Sequence, residues 1–112
     1  MTALEYRVCE ACKIGSPKAT TAEIANFMPQ IPDWKIIEVD GIAQLSRTFE
    51  WTDFQAALAF TNRIGEIAEK ARHHPAILTE WGRVTVRWWT HKIKGLHVND
   101  FIMAARTDRQ AG

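Results

Sequence analysis

Apolar residues recur along the chain with two periods, and the switches between them mark its elements. Ile24, Phe27 and Met28 follow Thr21-Ala22-Glu23 at three- and four-residue steps. That spacing predicts a short amphipathic helix, stopped by Pro29 and Pro32. Two apolar runs, Trp34 to Val39 and Ile42 to Trp51, then flank Asp40-Gly41. An Asp-Gly pair in that setting predicts a hairpin, because its tight turn needs positive φ. The second strand turns Ala43, Leu45, Phe49 and Trp51 to one face, with Arg47 breaking the pattern.

Thr52 and Gln55 form a capping-box pattern, which predicts a helix starting behind Thr52. Phe54, Ala57, Leu58, Thr61, Ile64, Ala68 and Ala71 make its stripe. The rod would be roughly 30 Å long, and it ends at Pro75 with His73 and His74 in its last turn. A second hairpin follows, Ala76 to Glu80 and Arg83 to Thr90 around Trp81-Gly82. In its latter strand Val84, Val86 and Trp88 alternate with Thr85, Arg87 and Trp89. Gly95-Leu96 turns the chain into a last helix, with Asp100 in the first turn and Phe101, Ile102 and Ala105 on the apolar face.

The order is α-β-β-α-β-β-α. Two hairpins imply antiparallel pairing, hence an α+β fold with a four-stranded antiparallel sheet and three helices on one face. Residues 1–18 show no periodicity and end in Gly15, Ser16 and Pro17, an N-terminal tail; residues 19–112 form a single domain. One sheet face stays uncovered in a chain with five Trp residues, so a homodimer or tetramer is expected.

Composition narrows the function. With 46% hydrophobic and 24% charged residues, the chain reads as an ordinary globular protein. A net charge of +1 speaks against a nucleic-acid partner. No window approaches the ~20 apolar residues of a membrane span, and the N-terminus has no basic region followed by an apolar run. A cytoplasmic location is therefore expected. Cys9 and Cys12 form a lone CxxC in the tail, two ligands short of a zinc site and without the βαβ setting of a redox pair. They are expected to be idle.

The candidate chemistry lies between Glu69 and Asp100. His73 and His74 are adjacent at a helix end, and His91 follows at a strand end. Capping of free carbonyls could explain one histidine of the pair but not both, which must point in different directions. Glu69, four residues before His73, could orient its ring. Three histidines could form a zinc triad, yet adjacent residues on a helix chelate poorly, so no metal is expected. His97, near the start of the last helix, reads as a cap. Trp81, Trp88 and Trp89 could stack on a flat ligand, although packing explains each one singly.

Glu69-Lys70, His73-His74-Pro75, Thr90-His91, Gly95-Leu96 and Asp100 together resemble the signature of the pterin-4a-carbinolamine dehydratases. The resemblance spans roughly Thr21 to Thr107 and is strongest to bacterial members that accompany phenylalanine hydroxylase. His97 stands where that family commonly has Ser or Thr, and Arg72 where some relatives are acidic. The resemblance implies dehydration of a 4a-hydroxytetrahydropterin to the quinonoid dihydropterin without any cofactor. It implies His73, His74 and His91 as catalytic residues, with Glu69, Trp89, Thr90 and Asp100 binding substrate. His73 and His91 would be the acid-base pair, since imidazoles with pKa near ~6.5 serve either role at neutral pH; His74 would mainly orient the pterin. Two rivals accompany this reading. One is a non-catalytic dimerisation or regulatory module, a role some animal members of the family play. The other is a dehydratase-like protein acting on a different pterin.

Overall fold

A computed structural model describes residues 3–7 and 16–112 of the chain. The described residues form α1 (Thr21–Phe27), β1 (Lys35–Val39), β2 (Ile42–Glu50), α2 (Phe54–Ala71), β3 (Ala76–Glu80), β4 (Arg83–Trp88) and α3 (Val98–Gln110). This is the expected α+β order. The strands form one antiparallel sheet in the order β1-β2-β4-β3. Cys9 and Cys12 lie outside the described residues.

Local rules explain most boundaries. Thr20 caps α1 in a reciprocal box with Glu23. Asp40 and Gly41 both take positive φ, 53° and 77°, and close the first hairpin as the Asp-Gly pair predicts. Gly82 turns the second hairpin at φ 76°, where an added Cβ would sit 3.2 Å from the Trp51 carbonyl oxygen.

Three expectations need correction. The cap of α2 is Asp53, whose carboxylate accepts from Ala56 N at 2.8 Å, so Thr52 stands outside the helix. The buried stripe of α2 is Ala57, Phe60, Ile64 and Ala68, whereas Phe54 and Leu58 are 46% and 43% exposed. The helix is rolled so that Phe60 packs between Phe49 and Trp51, with ring centroids 4.7 and 4.9 Å away. Finally, β4 ends at Trp88, ahead of Trp89 and Thr90.

One core joins the sheet to all three helices. Leu45, Phe49, Val84, Val86 and Trp88 face Phe27 of α1, the α2 stripe, and Phe101, Ile102, Met103 and Ala104 of α3. The helices therefore share one sheet face. Arg47 points to this face as well, and the aliphatic pattern breaks there for a reason. Its guanidinium lies 4.2 Å above the Phe49 ring and 2.6 Å from Asp108 near the end of α3. Trp34 Nε1 donates to the same carboxylate oxygen at 2.8 Å. Burial nevertheless raises the pKa of Asp108 above its ordinary 3.8, outweighing the Trp34 hydrogen bond and the Arg47 charge.

At the other end of the chain, Leu4–Tyr6 forms a 3-10 turn with Leu4 fully buried. Arg106 of α3 donates to the backbone carbonyls of Glu5 and Arg7, and Arg109 pairs with Glu5. These first residues of the arm are thus docked on α3. Among the described residues, no helix is long and apolar enough to cross a membrane.

Candidate active site

The site begins where α2 stops. Arg72 takes a left-handed conformation, φ 53° and ψ 39°, and its N–H reaches back to the Ala68 and Glu69 carbonyls. His73 N donates to Ala68 O at 3.2 Å, completing a Schellman-type ending. The histidine pair therefore lies beyond the helix, not in its last turn as expected. This turn, ahead of Pro75, sends the two rings to different places. The His73 side chain is 10% exposed and that of His74 58%.

His73 is built into the interior. Its ring stacks on Trp88 at 5.6 Å between centroids and 12° between planes. Trp88 Nε1 in turn donates to Thr107 Oγ1 at 3.0 Å, and that hydroxyl donates to Met103 O at 2.7 Å. The ring edge is fixed by Asp100, with His73 Nε2 2.6 Å from Oδ1. The sequence suggested Glu69 for this role. Glu69 instead meets His74, Oε1 to Nε2, at 2.5 Å and with both side chains exposed.

Asp100 is fully buried, so its carboxylate must have its bonds supplied by the protein. Thr90 Oγ1 donates to Oδ2 at 2.8 Å and His97 N donates to the same oxygen at 2.9 Å. Asp100 occupies the third position of α3, where the helix dipole favours a carboxylate. His97 caps the helix as expected, its Nδ1 accepting from Asn99 N at 3.1 Å. With Oδ2 occupied, Oδ1 is the atom left for His73. A carboxylate there holds the Nε2 proton on the imidazole and leaves Nδ1 as the ring's basic nitrogen.

His91 opens a 3-10 turn, His91–Ile93, and is exposed. Its ring packs against Trp89 at 4.4 Å, tilted by 32°. Lys94, at φ 50°, closes this turn, and Thr90 and Gly95 exchange backbone hydrogen bonds across it. Lys18 lies against Gly95 so closely that a Cβ there would be 3.0 Å from Lys18 Cε.

The predicted residues thus fall into three groups: His73 with Asp100 and Thr90, His74 with Glu69, and His91 with Trp89. Among the described residues, no three His, Cys, Asp or Glu side chains are grouped as metal ligands. Sequence reasoning missed two supports. Trp88 reads as a core residue or a ligand-stacking ring but not as a support for His73, and Thr107 carries no pattern at all; the fold alone brings them beneath His73.

Comparison with known proteins bears on this arrangement. Residues 17–110 match the family model described as pterin 4 alpha carbinolamine dehydratase. A protein of Syntrophotalea carbinolica, named "Putative pterin-4-alpha-carbinolamine dehydratase", is 59% identical over 108 residues, covering 96% of each chain. A crystal structure described as a transcriptional coactivator/pterin dehydratase from Brucella melitensis superposes with a TM-score of 0.76 at 30% identity. It covers 86% of this chain and 100% of its own.

Proposed function

The chain belongs to the pterin-4a-carbinolamine dehydratase family of hydro-lyases, and from that premise we propose that it dehydrates 4a-hydroxytetrahydrobiopterin while recycling the tetrahydropterin used by phenylalanine hydroxylase. The reaction breaks the C4a–O bond and removes the N5 proton. The N5 pair becomes the C4a=N5 double bond of the quinonoid dihydropterin, and the hydroxyl leaves as water after gaining a proton. One group must give a proton and another take one.

The observation that carries this reading is the clamp on His73. Asp100 and Trp88 hold its ring in one plane and one tautomer, with Nδ1 as the basic atom. Such preorganisation suits a proton-transfer group, because orientation then requires no further ordering at the moment of reaction. In our reading His73 and His91 are the acid-base pair. His74, held by Glu69, orients the pterin, and Trp89 and Thr90 offer backbone groups at the strand end to the ring amide. Asp100 acts through His73.

We further propose a homodimer or tetramer in the cytoplasm. Support for assembly comes from Phe54, Leu58, Leu78 and Trp81, which are between 43% and 72% exposed. Light scattering across a concentration series tests it; a mass staying near 12.8 kDa would refute it.

The coactivator half of the Brucella protein's description favours one second reading, a regulatory module acting by dimerisation. Following the decay of chemically generated 4a-hydroxytetrahydropterin with and without the protein separates the two. Dehydration well above the spontaneous rate, after chelator treatment, supports the enzyme. No acceleration leaves the regulatory module ahead.

A further inference from the structure

The sheet face turned away from the helices carries a polar group that nothing above employs. Leu45 pairs with Trp88, and both point into the core with no exposed surface. Gln44 is one residue back along β2, so it faces the opposite side. Its partner on β1 is Ile37. Although no helix among the described residues covers this face, Gln44 is only 3% exposed. Among the described residues its Oε1 has no hydrogen-bond partner. A buried acceptor left unpaired is destabilising, because it has lost its water without gaining a donor.

The register says where this group lies. Leu45 and Trp88 end the β2–β4 ladder, and Gln44 and Trp89 lie one residue beyond it. His74 stands two residues ahead of β3, which begins at Ala76 opposite Arg87, so it too lies at this end of the sheet. Trp89 itself holds the His91 ring. Gln44, Trp89 and His74 therefore lie at the same end of the sheet, with the His91 ring packed on Trp89.

We infer that Gln44 is a specificity-determining residue that pairs with the pyrimidinone edge of the pterin, an inference that rests on the function proposed above. The pyrimidinone edge carries a 2-amino donor beside the ring amide that Trp89 and Thr90 serve. That 2-amino group would donate to Oε1. A bound pterin thereby supplies the donor the buried Oε1 lacks. Because the 2-amino group lies away from C4a and N5, where the bonds change, the contact is nearly equal in ground and transition states and acts on binding.

The test uses the purified full chain with Gln44→Leu, of similar size but without the acceptor, and Gln44→Met as a second apolar variant. Three quantities are read: KM and kcat for chemically generated 4a-hydroxytetrahydropterin, Kd for an unreactive 7,8-dihydropterin by tryptophan quenching, and Tm. The expected result is a roughly tenfold rise in both KM and Kd. The kcat should stay within about twofold, and Tm should be unchanged or higher because an unpaired group has gone. Unchanged KM and Kd in an active protein would overturn the role of Gln44 alone, as would a fall in Tm without any change in binding. A wild-type chain that binds dihydropterin without dehydrating the carbinolamine would overturn the proposed function and leave Gln44 to be judged by Kd. A wild-type chain that binds no pterin would overturn both.

Discussion

Asp100 and Asp108 stand about two turns apart on α3, and their surroundings make them different chemical objects. Asp100 is fully buried in the first turn, on the favourable end of the helix dipole, and accepts from Thr90 Oγ1 and His97 N while engaging His73. Asp108 lies near the end of the helix, where the dipole disfavours negative charge, with Arg47, Trp34 and the more distant Asp33 around it. Its pKa is raised by burial in spite of a guanidinium at 2.6 Å. A full-charge partner is thus not sufficient to keep a carboxylate comfortable. Short donors within a helix N-terminus build a fixed acceptor, and the fold spends that acceptor on a histidine. The Asp108 cluster instead ties the β1 and β2 side of the sheet to the end of α3.

The largest expected effect separates the two carboxylates directly. Replacing Asp100 by Ala removes the partner of three buried donors and should destabilise the fold by about 3–5 kcal/mol, read by urea unfolding. Asp100→Asn, which keeps the shape, should lower kcat by 10²-fold or more. Asp108→Asn should leave kcat within about twofold. Equal losses of kcat at the two sites would show that Asp100 serves the helix and not the histidine.

The next effect concerns what each of the three histidines does. His73→Ala and His91→Ala should each lower kcat by about 10²–10⁴-fold with little change in KM, and the double variant should approach background. Racemic substrate will show biphasic decay if each single variant still turns over one isomer. His74→Ala should raise KM more than it lowers kcat, because its exposed pair with Glu69 contributes little to the fold. A double His73→Ala/His91→Ala variant that retained most of the rate would assign proton transfer to solvent or to Glu69.

A smaller effect tests the floor beneath His73. Thr107→Val removes the acceptor of Trp88 Nε1 and should cost about 1–3 kcal/mol, with kcat falling only a few-fold. If kcat were to fall as far as in Asp100→Asn, the stacking partner would matter as much to the ring as the carboxylate does.

Much of this was legible in the sequence, and the failures have a common cause. Asp40-Gly41, the alternation of Val84, Val86 and Trp88, and His97 ahead of Asp100 are local rules, and the fold obeys them. Thr52 and Gln55 fit the capping-box pattern, but the adjacent Asp53, also of a capping type, has the extended backbone beside the first turn. The roll of α2 could not be read from its spacing, since Phe54, Leu58 and Phe60 are all apolar and only the rings of Phe49 and Trp51 select Phe60. Glu69 was the natural partner for His73 under the i,i+4 rule. That rule holds only while the helix continues, and the left-handed Arg72 breaks its phase. The true partner is 27 residues away in sequence, and its closeness is a property of the sheet and α3 together.

The smallest effect is a pH dependence at Asp108, and its sign discriminates between two accounts of that site. Because burial raises the native pKa above the ordinary 3.8, the unfolded chain releases this proton first as pH rises. The contribution of Asp108 to stability is therefore fully present below the unfolded pKa, and is lost as pH rises through the native one. Asp108→Asn keeps an acceptor for Trp34 and Arg47 but does not titrate. Asp33, Glu5 and Arg109, which lie around the same site, remain in both proteins, so they enter the difference only through their coupling to the Asp108 charge. The Tm of the wild type minus that of Asp108→Asn should then shift against the wild type between pH 4 and neutrality, measured by thermal unfolding in a pH series. A difference that shifts in favour of the wild type over the same range would mean that Arg47 outweighs desolvation. In that event Asp108 would be a second well-satisfied carboxylate, and the contrast with Asp100 would reduce to the identity of their partners.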